Sequence, residues 1–296
     1  MLICTEQEAD GVSAISKDET LGRIQEALLA AVDALAEFAP GNVKAEQKTF
    51  GRGPITEADR KVNHVLREVL VRDGEGWLSE ETHDDRQRLT RRRVWVVDPL
   101  DGTKEFVAGI PEWCVSVAMV EEGKAIAGGV VNPSTHETFL GSRESGVTYN
   151  GCPALPSRRA SLEDAMVLAS RSEVGRGEWA RFDDAPFRFR PMGSVAYKLA
   201  LVSAGLADAT WTLQPKNEWD IAAGVALVEA AGGTVQFLPD EKPAFNNEVT
   251  LLPGLLACCP SLRNSLMEFL RPQLSGLTHG KTPAGDLAGD RRNRRH

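Results

Sequence analysis

Two carboxylates follow an apolar, β-rich run in Val94-Trp95-Val96-Val97-Asp98-Pro99-Leu100-Asp101-Gly102-Thr103. Asp98 and Asp101 stand at the end of a strand-like stretch, beside a tight turn. Their mutual repulsion raises at least one pKa, and partial burial adds to the cost of ionising them. A hard divalent cation removes both costs, because such oxygens bind it well. The same residues also suit an ordinary turn, since Asp-Gly is common in turns and Pro99 fixes its own φ. From this stretch alone both readings stand.

Three further acidic positions have local explanations of their own. In Thr56-Glu57-Ala58-Asp59 the acid lies three residues into a helix, as in a capping box, although Glu or Gln is the commoner partner there. Glu80-Glu81 follows Gly76-Trp77-Leu78-Ser79 and reads as a solvated acidic turn. Asp220 follows Trp219 at the start of an apolar helix, where the helix dipole by itself favours an acid.

Taken together and in this order, Thr56-Glu57-Ala58-Asp59, Ser79-Glu80-Glu81, Asp98 to Thr103 and Trp219-Asp220-Ile221-Ala222-Ala223-Gly224 resemble the four signatures of the inositol monophosphatase superfamily. The resemblance runs from about residue 20 to residue 270, and the tail beyond Leu277 has no counterpart in it. It implies a lithium-sensitive, Mg²⁺-dependent phosphatase with two or three ions. Glu80, Asp98 and the Leu100 carbonyl would hold the first ion; Asp98, Asp101 and Asp220 would hold the second. Asp59 and Thr103, with Glu80, would orient or activate the attacking water. The amides of Gly102 and Thr103 would seat the phosphate. General chemistry agrees: paired metals stabilise attacking and leaving oxygens together, and helix N-termini favour phosphate. No covalent intermediate is required, since phosphoryl transfer depends mainly on positioning and charge neutralisation.

The substrate is sought in the same neighbourhood. Lys104-Glu105-Phe106 after Thr103, and Ser170-Arg171-Ser172, resemble the 3′(2′),5′-bisphosphate nucleotidase branch. Leu213 stands seven residues before Asp220, where inositol-specific relatives usually place a hydroxyl-binding Glu. Lys104, Arg171, Lys198 and Lys216 are candidates for a second phosphate, with Gly193 and Ser194 among the substrate contacts. The expected reaction is hydrolysis of 3′-phosphoadenosine 5′-phosphate to AMP. Inositol monophosphate, or another sugar or histidinol phosphate, is the alternative. A non-catalytic metal- or phosphate-binding protein is the alternative from another class.

The rest of the chain limits the choices. Its 296 residues suffice for a large core or two packed subdomains. A formal net charge of −8 argues against a nucleic-acid polymer as partner, and bound cations would reverse the sign locally for an anionic substrate. The five histidines lack zinc spacing, and no P-loop, G-x-G-x-x-G or G-x-S-x-G occurs. Five cysteines, none in a C-x-x-C, argue against a disulfide framework. With no signal peptide and no membrane-spanning run, a cytoplasmic location without a membrane partner is expected. A homodimer is implied only by the resemblance.

Helical spacing predicts a first helix over residues 20–38, a polar loop over 41–55, and a second helix capped by Thr56 with Val62, Val65, Leu66 and Val69 on one face. Strands are expected over 113–120, 125–131, 138–140 and 147–149, then over 165–169, 187–189, 209–213, 234–238 and 255–258. Helices are expected over 174–182, 194–204, 219–231 and 261–271. This alternation suggests an α/β protein: an α+β half over 1–158 with most metal ligands, and an α/β half over 159–277 with Asp220. Residues 278–296 read as a disordered tail. The resemblance implies the five-layered αβαβα arrangement.

Overall fold

The computed structural model describes residues 19–48, 53–238 and 244–274. Its first layer is a helix pair, α1 (Glu19–Leu35) and α2 (Glu57–Leu70). In α1, Leu21, Ile24, Leu28, Ala31 and Leu35 bury one stripe. Between the helices, where a loop was expected, β1 (Ala45–Gln47) and β2 (Pro54–Thr56) form an antiparallel hairpin. Every β1 side chain is exposed, so no buried alternation betrays it.

The second layer is a seven-stranded sheet in chain order. It comprises β3 (Gly76–Ser79), β4 (Arg93–Asp101), β5 (Cys114–Glu121), β6 (Lys124–Asn132), β7 (Glu137–Ser142), β8 (Gly146–Tyr149) and β9 (Cys152–Ala154). Only β3 and β4 are parallel neighbours; the others form a meander. Helix α3 (Thr103–Ala108) leaves the end of β4. Opposite β5, Asp98 pairs with Ser116 and Asp101 with Cys114. Three steps along β4 thus face two along β5, which is a bulge at Pro99-Leu100, where Pro99 has no N–H to give. The bulge sets the face of the two acids. At odd spacing in a regular strand they would point to opposite sides, whereas their partners here are two apart and share one face.

A segment without helix or strand, 155–165, leads to the second half. There β10 (Met166–Ser170), α4 (Arg171–Gly175), β11 (Arg188–Met192), α5 (Val195–Ser203), β12 (Ala209–Thr212), β13 (Lys216–Asn217), α6 (Glu218–Ala230), β14 (Thr234–Phe237), β15 (Leu251–Leu252), β16 (Leu255–Cys258) and α7 (Arg263–Leu274) follow. Five strands form a mixed sheet in the order β11-β10-β12-β16-β14, and β13 pairs with β15. Pro191 is tolerated because β11 is an edge strand.

Three apolar clusters bind the layers. One lies between α1/α2 and the first sheet, one surrounds α5 and α6 between the sheets, and one packs Trp179, Phe182 and α7 on the outer face of the second sheet. Helix α6 is apolar almost all round, as a helix between two sheets must be. The result is the expected αβαβα stack.

Several boundaries differ from expectation. The helix expected over 174–182 is α4, starting earlier because Ser170 caps it through the Glu173 amide. Gly177, at φ +77°, follows its end, and a single 3₁₀ turn covers Ala180–Phe182. The first helix stops at Leu35, and α7 is preceded by a 3₁₀ turn at Pro260–Leu262. Cys152 is disulfide-bonded, while Cys114, Cys258 and Cys259 are buried and free; the sequence argued only against a disulfide framework. The tail assigned to 278–296 lies outside the described residues. Among those described, no helix is long and apolar enough to cross a membrane.

Candidate active site

Four elements deliver acids to one place. Strand β3 runs parallel to β4 with Ser79 beside Val97, so Glu80 leaves the sheet next to Asp98. Asp220 is the third residue of α6, and its Oδ2 accepts the Asn217 amide at 3.0 Å. Oxygens of Glu80, Asp98 and Asp220 all lie within 4.8 Å of one another. Asp101 stands outside that trio: its Oδ2 accepts the Ser194 hydroxyl and the Ala196 amide, both at 2.7 Å.

Asp59 holds the equivalent place in α2, where its two oxygens meet the helix cap and Thr103. Its Oδ2 accepts from the Thr56 amide (2.7 Å) and hydroxyl (2.5 Å), completing the capping box. Its Oδ1 faces the Thr103 hydroxyl at 3.1 Å. That hydroxyl also lies 3.0 Å from the Leu100 carbonyl, yet has one proton to give, so its lone pairs remain for a further donor. Gly102 takes φ +99°, and a Cβ there would sit 2.9 Å from the Glu112 carbonyl and 3.0 Å from Trp113. Only glycine fits this turn.

The electrostatics are those of an acid cluster in want of a cation. Burial pushes Asp98 well above the usual carboxylate range, with Glu80, Asp101 and Asp220 adding to it. Asp220 is pushed up to about 8, by burial first and then by Asp101 and Glu80. Burial raises Glu80 against the pull of Lys48, and raises Asp59 against its hydrogen bonds from Thr56. Hard oxygens with mutually raised pKa values are the donor set that suits Mg²⁺. The group fits a divalent ion on these grounds.

A cleft of about 350 Å³ opens over the acids. Lys48, Lys104, Arg171, Arg176, Lys198 and Lys216 also line it. Lys48, from the unexpected hairpin, contacts Glu80 at 2.5 Å and Glu81 at 2.7 Å. Its pKa rises because these pairings outweigh its burial. Arg171 is forked onto Glu112. Lys198 is buried, and its ammonium donates to the carbonyls of Met192, Gly193 and Ser194. Burial lowers its pKa to about 8, against the pull of Asp101. Its protons are therefore engaged by the turn beneath the cleft rather than free for a phosphate. Leu213 lines a neighbouring cavity, and Gln214 is the residue that reaches the cleft. A larger groove of about 710 Å³ along α1 is mainly apolar and contains no carboxylate.

The sequence reading did not single out Lys48, Glu112, Arg176 or Gln214. Each enters through tertiary contacts between distant segments, and none carries a short-range motif.

The chain is similar to known proteins along most of its length. The profile of the inositol monophosphatase family matches residues 17–275. An inositol-1-monophosphatase of Rhizobium meliloti is 34% identical over 194 residues, 62% of this chain and 72% of that protein. The structure of an IMPase from Thermotoga maritima superposes with a TM-score of 0.73 at 28% identity, covering 85% of this chain and 96% of the other. CysQ from Bacteroides thetaiotaomicron, described as a bacterial member of the same family, superposes with a TM-score of 0.68 at 26% identity, covering 81% and 96%.

Proposed function

The chain belongs to the inositol monophosphatase family, whose members hydrolyse phosphate monoesters, and we propose that its substrate carries a second anionic group. The specific reading is a 3′(2′),5′-bisphosphate nucleotidase that converts 3′-phosphoadenosine 5′-phosphate to AMP. One observation carries it: the cleft over the acids is also lined by Lys104, Arg171, Arg176 and Lys216. Lys104 and Lys216 have no ion-pair partner among the described residues, so they can meet a second phosphate. In this reading Gly193 and Ser194 shape the substrate wall, and Lys198 supports them from below.

Glu80, Asp98, Asp101, Asp220 and the Leu100 carbonyl would hold two or three Mg²⁺ ions. The ions supply charge neutralisation on phosphate and acidify water. The chain's own residues do the rest. Amides of Gly102 and Thr103 seat the phosphate. The Thr103 hydroxyl accepts from the attacking water while Asp59 holds that hydroxyl in place. The raised pKa of Asp59 makes it a better proton acceptor than a solvated carboxylate. Inhibition by Li⁺ belongs to the same reading.

Inositol monophosphate is the second reading, favoured by the name of the Rhizobium relative. Initial rates with Mg²⁺ separate the two. The expected result is a higher kcat/KM for 3′-phosphoadenosine 5′-phosphate than for inositol monophosphate, fructose 1,6-bisphosphate or histidinol phosphate. Preference for inositol monophosphate overturns the choice of substrate. No Mg²⁺-dependent phosphate release from any ester would favour a non-catalytic binding protein.

A further inference from the structure

Glu112 lies in the loop between α3 and β5 and touches three walls of the cleft. Its Oε2 accepts from Arg171 Nε at 3.0 Å, Arg171 Nη2 at 2.6 Å and the Gly193 amide at 2.8 Å. Its carbonyl oxygen packs against two glycines: a Cβ on Gly102 would sit 2.9 Å from it, and one on Gly193 2.7 Å. The same residue therefore joins the Gly102 turn, the start of α4 and the Gly193–Ser194 turn, where Ser194, at φ +49°, holds Asp101.

An exposed ion pair contributes little, about 0–1 kcal/mol. This pair differs in three ways. The Glu112 side chain is only 17% exposed, the guanidinium is bound through two nitrogens, and a main-chain amide shares the same oxygen. Such forks fix direction as well as distance. Arg171 Nη2 also lies 3.5 Å from the Pro191 carbonyl, and Nη1 has no protein partner among the described residues.

We propose that Glu112 is a positioning residue that holds the Arg171 guanidinium at the cleft wall, where it meets the second anion of the substrate. The inference rests on the second-anion reading above. The Glu112 carboxylate touches neither the metal ligands nor the phosphate seat; its partners are the Arg171 guanidinium and the Gly193 amide. After Glu112→Gln the side chain can still accept from that amide, so the effect of the change passes through Arg171 and falls on KM.

The test is a double-mutant cycle in the full chain with Mg²⁺: wild type, Glu112→Gln, Arg171→Gln and the double variant. Substrates are 3′-phosphoadenosine 5′-phosphate and p-nitrophenyl phosphate, which has no second anion. Each single change should raise KM for the bisphosphate about tenfold, the scale of one charge-assisted hydrogen bond. The change in kcat should be smaller. The double variant should be no worse than Arg171→Gln alone, and losses on p-nitrophenyl phosphate should be smaller. Multiplicative losses, or equal falls in kcat on both esters with KM unchanged, overturn the proposal. Arg171→Lys covers the case in which Glu112→Gln does not fold. It keeps the charge but not the fork, so its KM should rise as in Arg171→Gln, and a wild-type KM overturns positioning. If the wild type prefers inositol monophosphate while the cycle on that ester stays non-multiplicative, the second-anion reading falls, and only the positioning of Arg171 by Glu112 stands. A wild type that prefers the bisphosphate but shows multiplicative losses gives the reverse.

Discussion

Asp98 is wholly buried among Glu80, Asp101 and Asp220, with the Leu100 amide as its hydrogen-bond donor at 3.0 Å. A residue so placed costs stability unless a cation is present, and it can bridge two ions when they are. Asp98→Asn should therefore lower kcat by at least about a hundredfold, the loss seen when a principal charge-stabilising group is removed. Near-normal turnover at saturating Mg²⁺ would remove the bridging assignment. Asp59 and Thr103 are read from a different pair of atoms. The capping box uses Asp59 Oδ2, and Thr103 meets Oδ1, so the two duties of this carboxylate are separable. Asp59→Asn and Thr103→Ala should each depress kcat with little change in KM. Together they should cost much less than the product of the single effects, because residues acting as a unit are not additive. Independent losses measured in steady-state kinetics would reduce Asp59 to a helix cap.

At the scale of elements, the acids were gathered by the family resemblance, because the local signal at each boundary has an ordinary explanation of its own. Thr56 and Asn217 begin helices, and Asp59 and Asp220 follow at the third position of each. Pro99, read in the sequence only as a turn residue, lies at the β4 bulge, whose consequence, two acids at odd spacing on one face, requires the register against β5. Other features left no such trace. The exposed β1–β2 hairpin lacks alternation, yet brings Lys48 to Glu80 and Glu81. Glu112, Arg171 and Gly193 come together only when the loops of both halves meet, and an isolated charge in a loop predicts nothing about its partner. The crossing of α5 and α6 is a further case. A Cβ on Gly224 would lie 2.4 Å from Leu199 Cβ, so glycine is needed for close approach rather than for its backbone freedom. Gly224→Ala should push α6 from α5 and cost about 1–3 kcal/mol, as overpacked cores do. Chemical denaturation measures this directly. Unchanged stability would mean that the helices shift at no cost. Because α6 carries Asp220, activity should fall along with stability.

The whole molecule carries a net charge of −8, and it buries several of its negative charges together between the layers. This couples stability, pH and metal. In the metal-free protein Asp98, Glu80 and Asp220 all have raised pKa values, with Asp220 at about 8. An unfolded Asp titrates near about 3.9. Between these limits the folded protein binds more protons than the unfolded chain. The slope of unfolding free energy with pH is therefore negative, and metal-free stability falls as pH rises through this window. If Mg²⁺ binds these carboxylates in their ionised form, as proposed above, its stabilisation should grow over the same range as competing protons leave. A ligand at a hundredfold excess over Kd contributes about 2.7 kcal/mol per site. Thermal melts at pH 5 and pH 8, each with chelator and with saturating Mg²⁺, should show a larger Mg²⁺-induced rise in Tm at pH 8. The Asp98→Asn variant, relieved of one repelling charge, should show a smaller pH dependence in chelator and a smaller rise with Mg²⁺. An increment that is equal at the two pH values, or larger at pH 5, would mean that the buried acids are not where the metal binds.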